Sequence, residues 1–272
     1  MQIFVIYSLR LEVLNMLANY HTHTARCNHA FGTEREYIEN AIQNGFKILG
    51  FSDHVPQPYP ADYESHIRMR MEEAESYTDT LVKLRDEYKS DIQILIGYEV
   101  EYTRKFFDKM LEHIRQYPLD YIIQGQHFIP NEIDGFYAGA MTTQESSLAE
   151  YVEFTVEGMK TGKFSYLAHP DLINYVGPDE VFQKHMKEII QTSIDLDIPL
   201  EVNMLGFMTD RNYPSDRFYS LAASMGAKFV IGCDAHNPVH VMQPNSVSGF
   251  IDFLNKNKIK PIQDNIIELK PV

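Results

Sequence analysis

One pattern recurs along this chain and limits what it can fold into: a short apolar run, a polar residue of metal-ligand type, then an amphipathic stretch. The runs are residues 16–20, 47–52, 92–98, 120–124, 164–168, 199–202 and 228–231, each strand-length and rich in Ile, Val, Leu, Phe or Tyr. Helical patterns lie between them at 33–43, 68–88, 108–116, 143–158, 179–195, 215–225 and 247–255. The first opens with Thr33 and Glu36 at capping-box spacing and stops near Gly45. Alternating strands and helices predict an α/β protein with a parallel sheet. No GxGxxG follows the first run, which counts against an open doubly wound sheet. Ligand-type residues stand after nearly every run, and active-site residues at the C-terminal ends of many strands are what a TIM-barrel-like closure supplies. The expectation is one barrel domain over residues 16–272. Residues 1–15 read as an N-terminal extension, because Met16 directly precedes the first motif.

Charge and cysteine content narrow the function classes. The formal net charge is −14, from 38 acidic and 24 basic residues. Such a surface repels a phosphate backbone, so nucleic acid is a poor main substrate. A small phosphorylated metabolite remains open, because bound cations reverse the sign locally. Cys27 and Cys233 are far apart and form no CxxC, which points to a reducing, cytoplasmic setting rather than a disulfide scaffold. No apolar run reaches transmembrane length. Segment 1–15 is interrupted by Arg10 and Glu12 and lacks the basic leader of a signal peptide.

The residues that follow the runs carry the chemistry. They are His21-Thr-His23 with His29, then Asp53-His54, then Glu99 with Glu101. After these come Gly125-Gln-His127, His169-Pro-Asp171, Asn203 and Asp234-Ala-His236. Of eleven histidines, seven fall at these junctions; His66, His113, His185 and His240 sit in or beside helical segments and read as surface residues. His-x-His on a strand turns two imidazoles to one face. Alone it is a moderate signal, and a lone histidine is more often simply solvated. Seven histidines converging on one rim with Glu99 and Asp234 are another matter, since buried carboxylates without cations repel one another. All nine donors offer nitrogen or oxygen, compatible with zinc, manganese or iron. They are too many for one tetrahedral site, so two or three metals sharing a carboxylate are expected.

In order, His21-Thr-His23, Ser52-Asp53-His54, Gly97-Tyr-Glu99, Gln126-His127-Phe128, His169-Pro-Asp171 and Cys233-Asp234-Ala-His236 resemble the motifs of the PHP (polymerase and histidinol phosphatase) superfamily, over about residues 17–242. The resemblance implies a distorted (β/α)7 barrel with a trinuclear centre. It implies that His21, His23, Glu99 and Asp234 hold a first divalent metal and that Glu99 bridges to a second held by His127 and His169. A third would lie on His29, His54 and His236. Glu99, Asp234, His127 and His169 would be the groups nearest the chemistry. Arg26-Cys27-Asn28-His29, Ser52-Asp-His-Val-Pro56 and Leu200-Glu-Val-Asn203 with Gly206 and Tyr213-Pro214 are similar to the histidinol-phosphatase branch. Cys233, where Ser is usual, and Gln126, where a small residue or Val is common, depart from it beside ligands without replacing any. Cys233 reads as a small buried residue.

The implied reaction is hydrolysis of a phosphomonoester, L-histidinol phosphate in histidine biosynthesis, by hydroxide generated between two metals. Arg211, Arg68 and Arg26 are candidates to fork onto phosphate. Asp53 is a candidate to orient His54 or another imidazole, and Asn203 is as well explained by structure. Glu101, Asp171 and Asp53 could form an acidic wall facing the substrate's ammonium. Two other readings compete: a different PHP phosphoesterase acting on nucleotides or phosphotyrosine, and a metal-binding module without turnover.

Overall fold

The computed structural model describes residues 14–272. The expected extension 1–15 therefore lies almost wholly outside the described residues; Leu14 packs part-buried against the core, and Asn245 donates to its carbonyl.

Four parallel strands stand side by side in chain order: β1 (Ala18–Asn19), β2 (Ile48–His54), β3 (Gln93–Val100) and β4 (Tyr121–Gln124). An antiparallel hairpin follows, β5 (Phe128–Ile129) and β6 (Phe136–Tyr137), and then a parallel pair, β7 (Leu200–Asn203) and β8 (Phe229–Gly232). The helices are α1 (Glu34–Gln43), α2 (Glu73–Tyr88), α3 (Phe107–Ile114), α4 (Glu145–Lys160), α5 (Asp179–Asp195), α6 (Met204–Met208), α7 (Asp216–Met225) and α8 (Phe250–Lys256). The Thr33–Glu36 capping box forms as the spacing predicts.

β2, β3 and β4 are buried nearly end to end, as parallel strands covered on both faces must be. Two apolar layers result. The larger lies between sheet and helices. The smaller fills the concave side with Tyr20, Tyr121, Ile123, Tyr166 and Val230. Tyr121 spans it, its single O–H directed to the carbonyl of Tyr20 at 2.6 Å, with that of Phe51 farther off at 3.2 Å. A buried phenol needs such partners.

The chain departs from the pattern-based expectation in three places. The run 164–168 is no regular strand, although its backbone exchanges hydrogen bonds in the parallel pattern with 122–124 and 199–201. Only Leu167 bridges, to Gln124 on one side and Leu200 on the other, and His169 then turns the chain away at φ 27°. The helical pattern 68–88 starts only at Glu73, because Arg68 is drawn into the protein by buried carboxylates. The β5–β6 hairpin and α6 carry no period long enough to announce them.

Between β1 and β8 a side chain replaces the ladder. Asn265, in left-handed backbone at φ 59°, donates to the carbonyls of Ala18 (2.9 Å) and Ile231 (2.7 Å) and accepts from Ile231 N (2.7 Å). Beyond it the His21–His23 segment is laced to Ala235: Ala235 N donates to His21 O, and His23 N donates to Ala235 O. The first and last metal-ligand motifs are thereby held shoulder to shoulder. No helix among the described residues is long and apolar enough to cross a membrane.

Candidate metal centre

His21 and His23 follow β1, His54 ends β2, and Glu99 lies in β3 as the register partner of His54. His127 precedes β5, His169 follows the Leu167 bridge, and Asp234 and His236 follow β8. His29 is placed by a short 3-10 turn, Ala25–Cys27, closed by Asn28 in left-handed backbone. Parallel strands end on the same side of the sheet, so nine donors spread over the sequence meet there.

Three groupings result. In the first, His21 Nε2 and His23 Nε2 lie 3.1 Å apart, at 3.4 and 3.2 Å from Asp234 Oδ1 and 3.6 and 3.5 Å from Glu99 Oε2. In the second, Glu99 Oε1 faces His169 Nε2 at 2.8 Å and His127 Nε2 at 3.6 Å. In the third, His29, His54 and His236 converge, with 3.0 Å between the Nε2 atoms of His29 and His236. Glu99 thus turns one oxygen to each of the first two groups, as a bridging carboxylate would. His54 Nδ1 lies 3.1 Å from Glu99 Oε2 and links the third group to the others.

The tautomers show that these donors suit cations. Carbonyls and carboxylates only accept, so their partners must carry the proton. His29 Nδ1 donates to Cys27 O (2.7 Å), His236 Nδ1 to Asp234 O (3.0 Å), His21 Nδ1 to Glu201 (2.7 Å) and His127 Nδ1 to Glu101 (3.0 Å). In the neutral forms of these four rings Nε2 is then a lone pair. With both rings neutral, the Nε2 atoms of His29 and His236 would face each other at 3.0 Å as two lone pairs, an arrangement that a proton or a metal cation relieves. Electrostatics agree. Burial alone would lower His21, but Glu201, Asp234 and Glu99 outweigh it and raise the imidazole to about 10. Burial would raise Glu99 and Asp234, yet neighbouring imidazoles hold both carboxyls well below the usual range. The cluster draws positive charge, and a divalent metal competes with protons for the same lone pairs.

Two glycines make room for the carboxylates. A Cβ at Gly125 would strike Glu99 Oε1, and one at Gly232 would strike Glu201 Oε1. His169 and Asp234 both occupy left-handed backbone, at φ 27° and 50°, a conformation that non-glycine residues keep only when their surroundings impose it.

A cavity of about 340 Å³ opens over the centre, lined by His29, His54, Glu99, His127, Asp234 and His236 below and by Ile67, Phe128, Tyr137, Arg211 and Tyr213 around. Of the expected phosphate-binding arginines, only Arg211 lines it; its Nη1 donates to Tyr213 Oη at 2.7 Å. Arg68 is instead buried against Glu101 (3.0 Å) and Glu132 (2.8 Å), and Arg26 pairs with Glu34 beside the Tyr77 ring. The expected acidic wall is also absent from the cavity lining. Glu101 is spent on His127 and Arg68. Asp53 accepts from Thr24 and from His54 N, 3.6 Å from His23 Nδ1. Asp171 accepts from Ser215 N at 2.7 Å, and burial pushes its carboxyl up to about 7. All three are buried and hydrogen-bonded inside the protein, Asp53 and Glu101 at the ends of β2 and β3 and Asp171 in the turn after His169.

Of the histidines expected at the surface, His66 is exposed, whereas His113, His185 and His240 are half-buried; none lines the cavity. Burial pushes the Cys233 thiol up to about 12, which leaves it protonated and no nucleophile. Sequence reasoning passed over Glu201. It is fully buried, binds His21, and accepts from His169 N (2.9 Å) and Asn203 Nδ2 (2.9 Å). A carboxylate inside an apolar strand run was the available signal. Asn203 proves to do two things: it caps α6 through Gly206 N and donates to Asp234 Oδ2 at 3.1 Å.

A parallel α/β sheet whose strand ends gather imidazoles and carboxylates into metal-ready groups defines a metal-dependent hydrolase type of site. The PHP domain model matches residues 19–205, and the chain belongs to that family. Curated proteins of Deinococcus radiodurans and Schizosaccharomyces pombe, both named "Probable histidinol-phosphatase", are 28% and 27% identical to it. The first aligns over 91% of this chain and 93% of its own length, the second over 81% of each. The fold resembles the crystal structure of histidinol phosphate phosphatase from Lactococcus lactis complexed with zinc, L-histidinol and phosphate. That likeness has a TM-score of 0.70 at 18% identity and covers 94% of this chain and 100% of that one.

Proposed function

We propose that this chain is a histidinol-phosphate phosphatase, hydrolysing L-histidinol phosphate to L-histidinol and phosphate at a trinuclear metal centre. The observation that carries the reading is Glu99, which turns one oxygen to His21 and His23 and the other to His127 and His169. The shared name of the two curated relatives supports the substrate, as do the ligands in the Lactococcus lactis crystal.

In this reading His21, His23, Glu99 and Asp234 hold one ion, and Glu99, His127 and His169 a second. His29, His54 and His236 hold a third. Bound divalent ions would polarise the phosphoryl oxygens and lower the pKa of water enough for it to attack at neutral pH. Arg211 contributes a guanidinium to the phosphate oxygens, aimed by the Tyr213 hydroxyl. Glu201 and Glu101 keep His21 and His127 in the tautomer that leaves Nε2 free. Asn203 fixes Asp234 from the side away from the imidazoles. The scaffold is a single domain whose sheet closes as a seven-stranded barrel. The Leu167 bridges and the Thr22–Ala235 bridge across the β1–β8 seam support that closure.

The test is elemental analysis and a substrate panel on metal-replete protein. About three ions per chain of zinc, manganese or iron are expected, and one or fewer would sink the trinuclear assignment. The kcat/KM for L-histidinol phosphate should exceed those for phosphotyrosine and a nucleoside bisphosphate by about a hundredfold, roughly 2.7 kcal/mol of transition-state discrimination. Glu99→Ala and Asp234→Ala should abolish turnover, and His66→Ala should not. If another phosphomonoester wins, the family stands and the substrate falls.

A further inference from the structure

The cavity has a floor and a wall of opposite character. Its floor is imidazole and carboxylate. Its wall is Ile67, Phe128, Tyr137 and Tyr213, with Arg211 beside Tyr213. Among the described residues, the carboxylates lining it are Glu99 and Asp234, and both are enclosed by imidazoles. A cationic group bound beyond the phosphate therefore meets aromatic faces and no free carboxylate.

Two of the three aromatic side chains, Phe128 and Tyr137, come from one element. Phe128 and Tyr137 are register partners across the β5–β6 hairpin, with ring centroids 5.5 Å apart and planes at 47°. The hairpin is pinned to the metal centre, because Ala138 N donates to His127 O at 2.7 Å. Its acidic turn is already matched, Glu132 by Arg68 and Asp134 by Lys105. Tyr213 is occupied as well, its hydroxyl accepting from Arg211 whose guanidinium carbon lies 5.8 Å from the ring centroid. Tyr137 remains 41% exposed, an aromatic ring held open at the mouth.

We propose that the β5–β6 hairpin is the specificity element, and that Phe128 and Tyr137 receive the flat or positively charged end of the substrate on their ring faces. The negative face of an aromatic ring attracts a cation and stacks a heterocycle. The hairpin thereby selects phosphomonoesters that carry a compact cation, or an imidazole-like ring, a few bonds from the phosphate. This rests on the phosphomonoesterase reading above and assigns the end of the substrate that the metals do not touch.

The test uses metal-replete protein, with L-histidinol phosphate and β-glycerol phosphate, which lacks both cation and ring. Phe128→Leu and Tyr137→Leu should each lower the ratio of kcat/KM for the first ester over the second by about tenfold, chiefly through KM, with metal content at the wild-type level. Tyr137→Phe, which keeps the ring face, should hold that ratio within about threefold of wild type. The hairpin assignment fails if the ratio is unmoved in both leucine variants, or if Tyr137→Phe is as damaging as Tyr137→Leu. A wild-type protein that shows no preference for histidinol phosphate removes the proposed function and the hairpin assignment together. A wild-type preference that survives both leucine substitutions removes the hairpin assignment alone.

Discussion

Glu201 sits in a strand between Leu200 and Val202 with none of its surface in water. A carboxylate desolvated to that degree is stable only if donors surround it, and here they are His21 Nδ1, His169 N and Asn203 Nδ2. One side chain thus orients a ligand of the first group and holds the backbone of a ligand of the second. Glu201→Gln keeps the volume but removes the charge that favours the Nδ1–H tautomer of His21. It should weaken metal binding by about 10- to 100-fold, read by titrating zinc or manganese into chelated protein. Unchanged affinity would mean that packing alone orients His21.

At the scale of elements, the molecule depends on a brace between the long connection after β2 and the β5–β6 hairpin. Arg68 lies between Glu101, which holds His127, and Glu132 in the hairpin turn, and it also donates to Val55 O. Arg68→Met would leave two buried carboxylates without their cation. The expected loss is about 3–5 kcal/mol of stability, measured by urea unfolding; a loss near zero would show the network to be slack. The pH dependence has a definite sign. Burial would raise Glu132, but Arg68, Ser65 and Tyr63 outweigh it and hold the carboxyl below its ordinary value. A depressed folded-state pKa adds stability above the unfolded value of about 4.3 and loses it as pH falls through the folded one. Arg68→Met should shrink that acid-side dependence.

For the whole molecule, metal binding at the candidate centre is expected to be coupled to folding. Its ligands come from both ends of the chain, and only folding assembles them. Chelation should therefore abolish turnover and lower Tm, and manganese or zinc should restore both. At a hundredfold excess over Kd, each site adds about 2.7 kcal/mol. A Tm indifferent to chelator would show that the carboxylate cluster is stable without cations.

What the sequence alone determined is the order of the main strands and helices and the set of candidate metal donors. Residue periodicity survives any packing, and most of the candidate donors stand within a few residues of the end of an apolar run, so strand ends and donors could be read together. Even the Thr33–Glu36 cap is a contact between neighbours in sequence. The tertiary structure decided which polar residues face the cavity and which face one another. Glu101, Asp53 and Asp171 stand beside candidate ligands in sequence and Arg68 lies in the connection after His54, and the fold turns all four inward onto partners that include ones 13 to 44 residues away. Arg211, Phe128 and Tyr137 take the wall instead, and of these Tyr137 lies in no motif. The physical reason is that a buried charge must find its counter-charge or hydrogen bonds. Those partners are fixed by strand register and loop path in three dimensions, which no local spacing records.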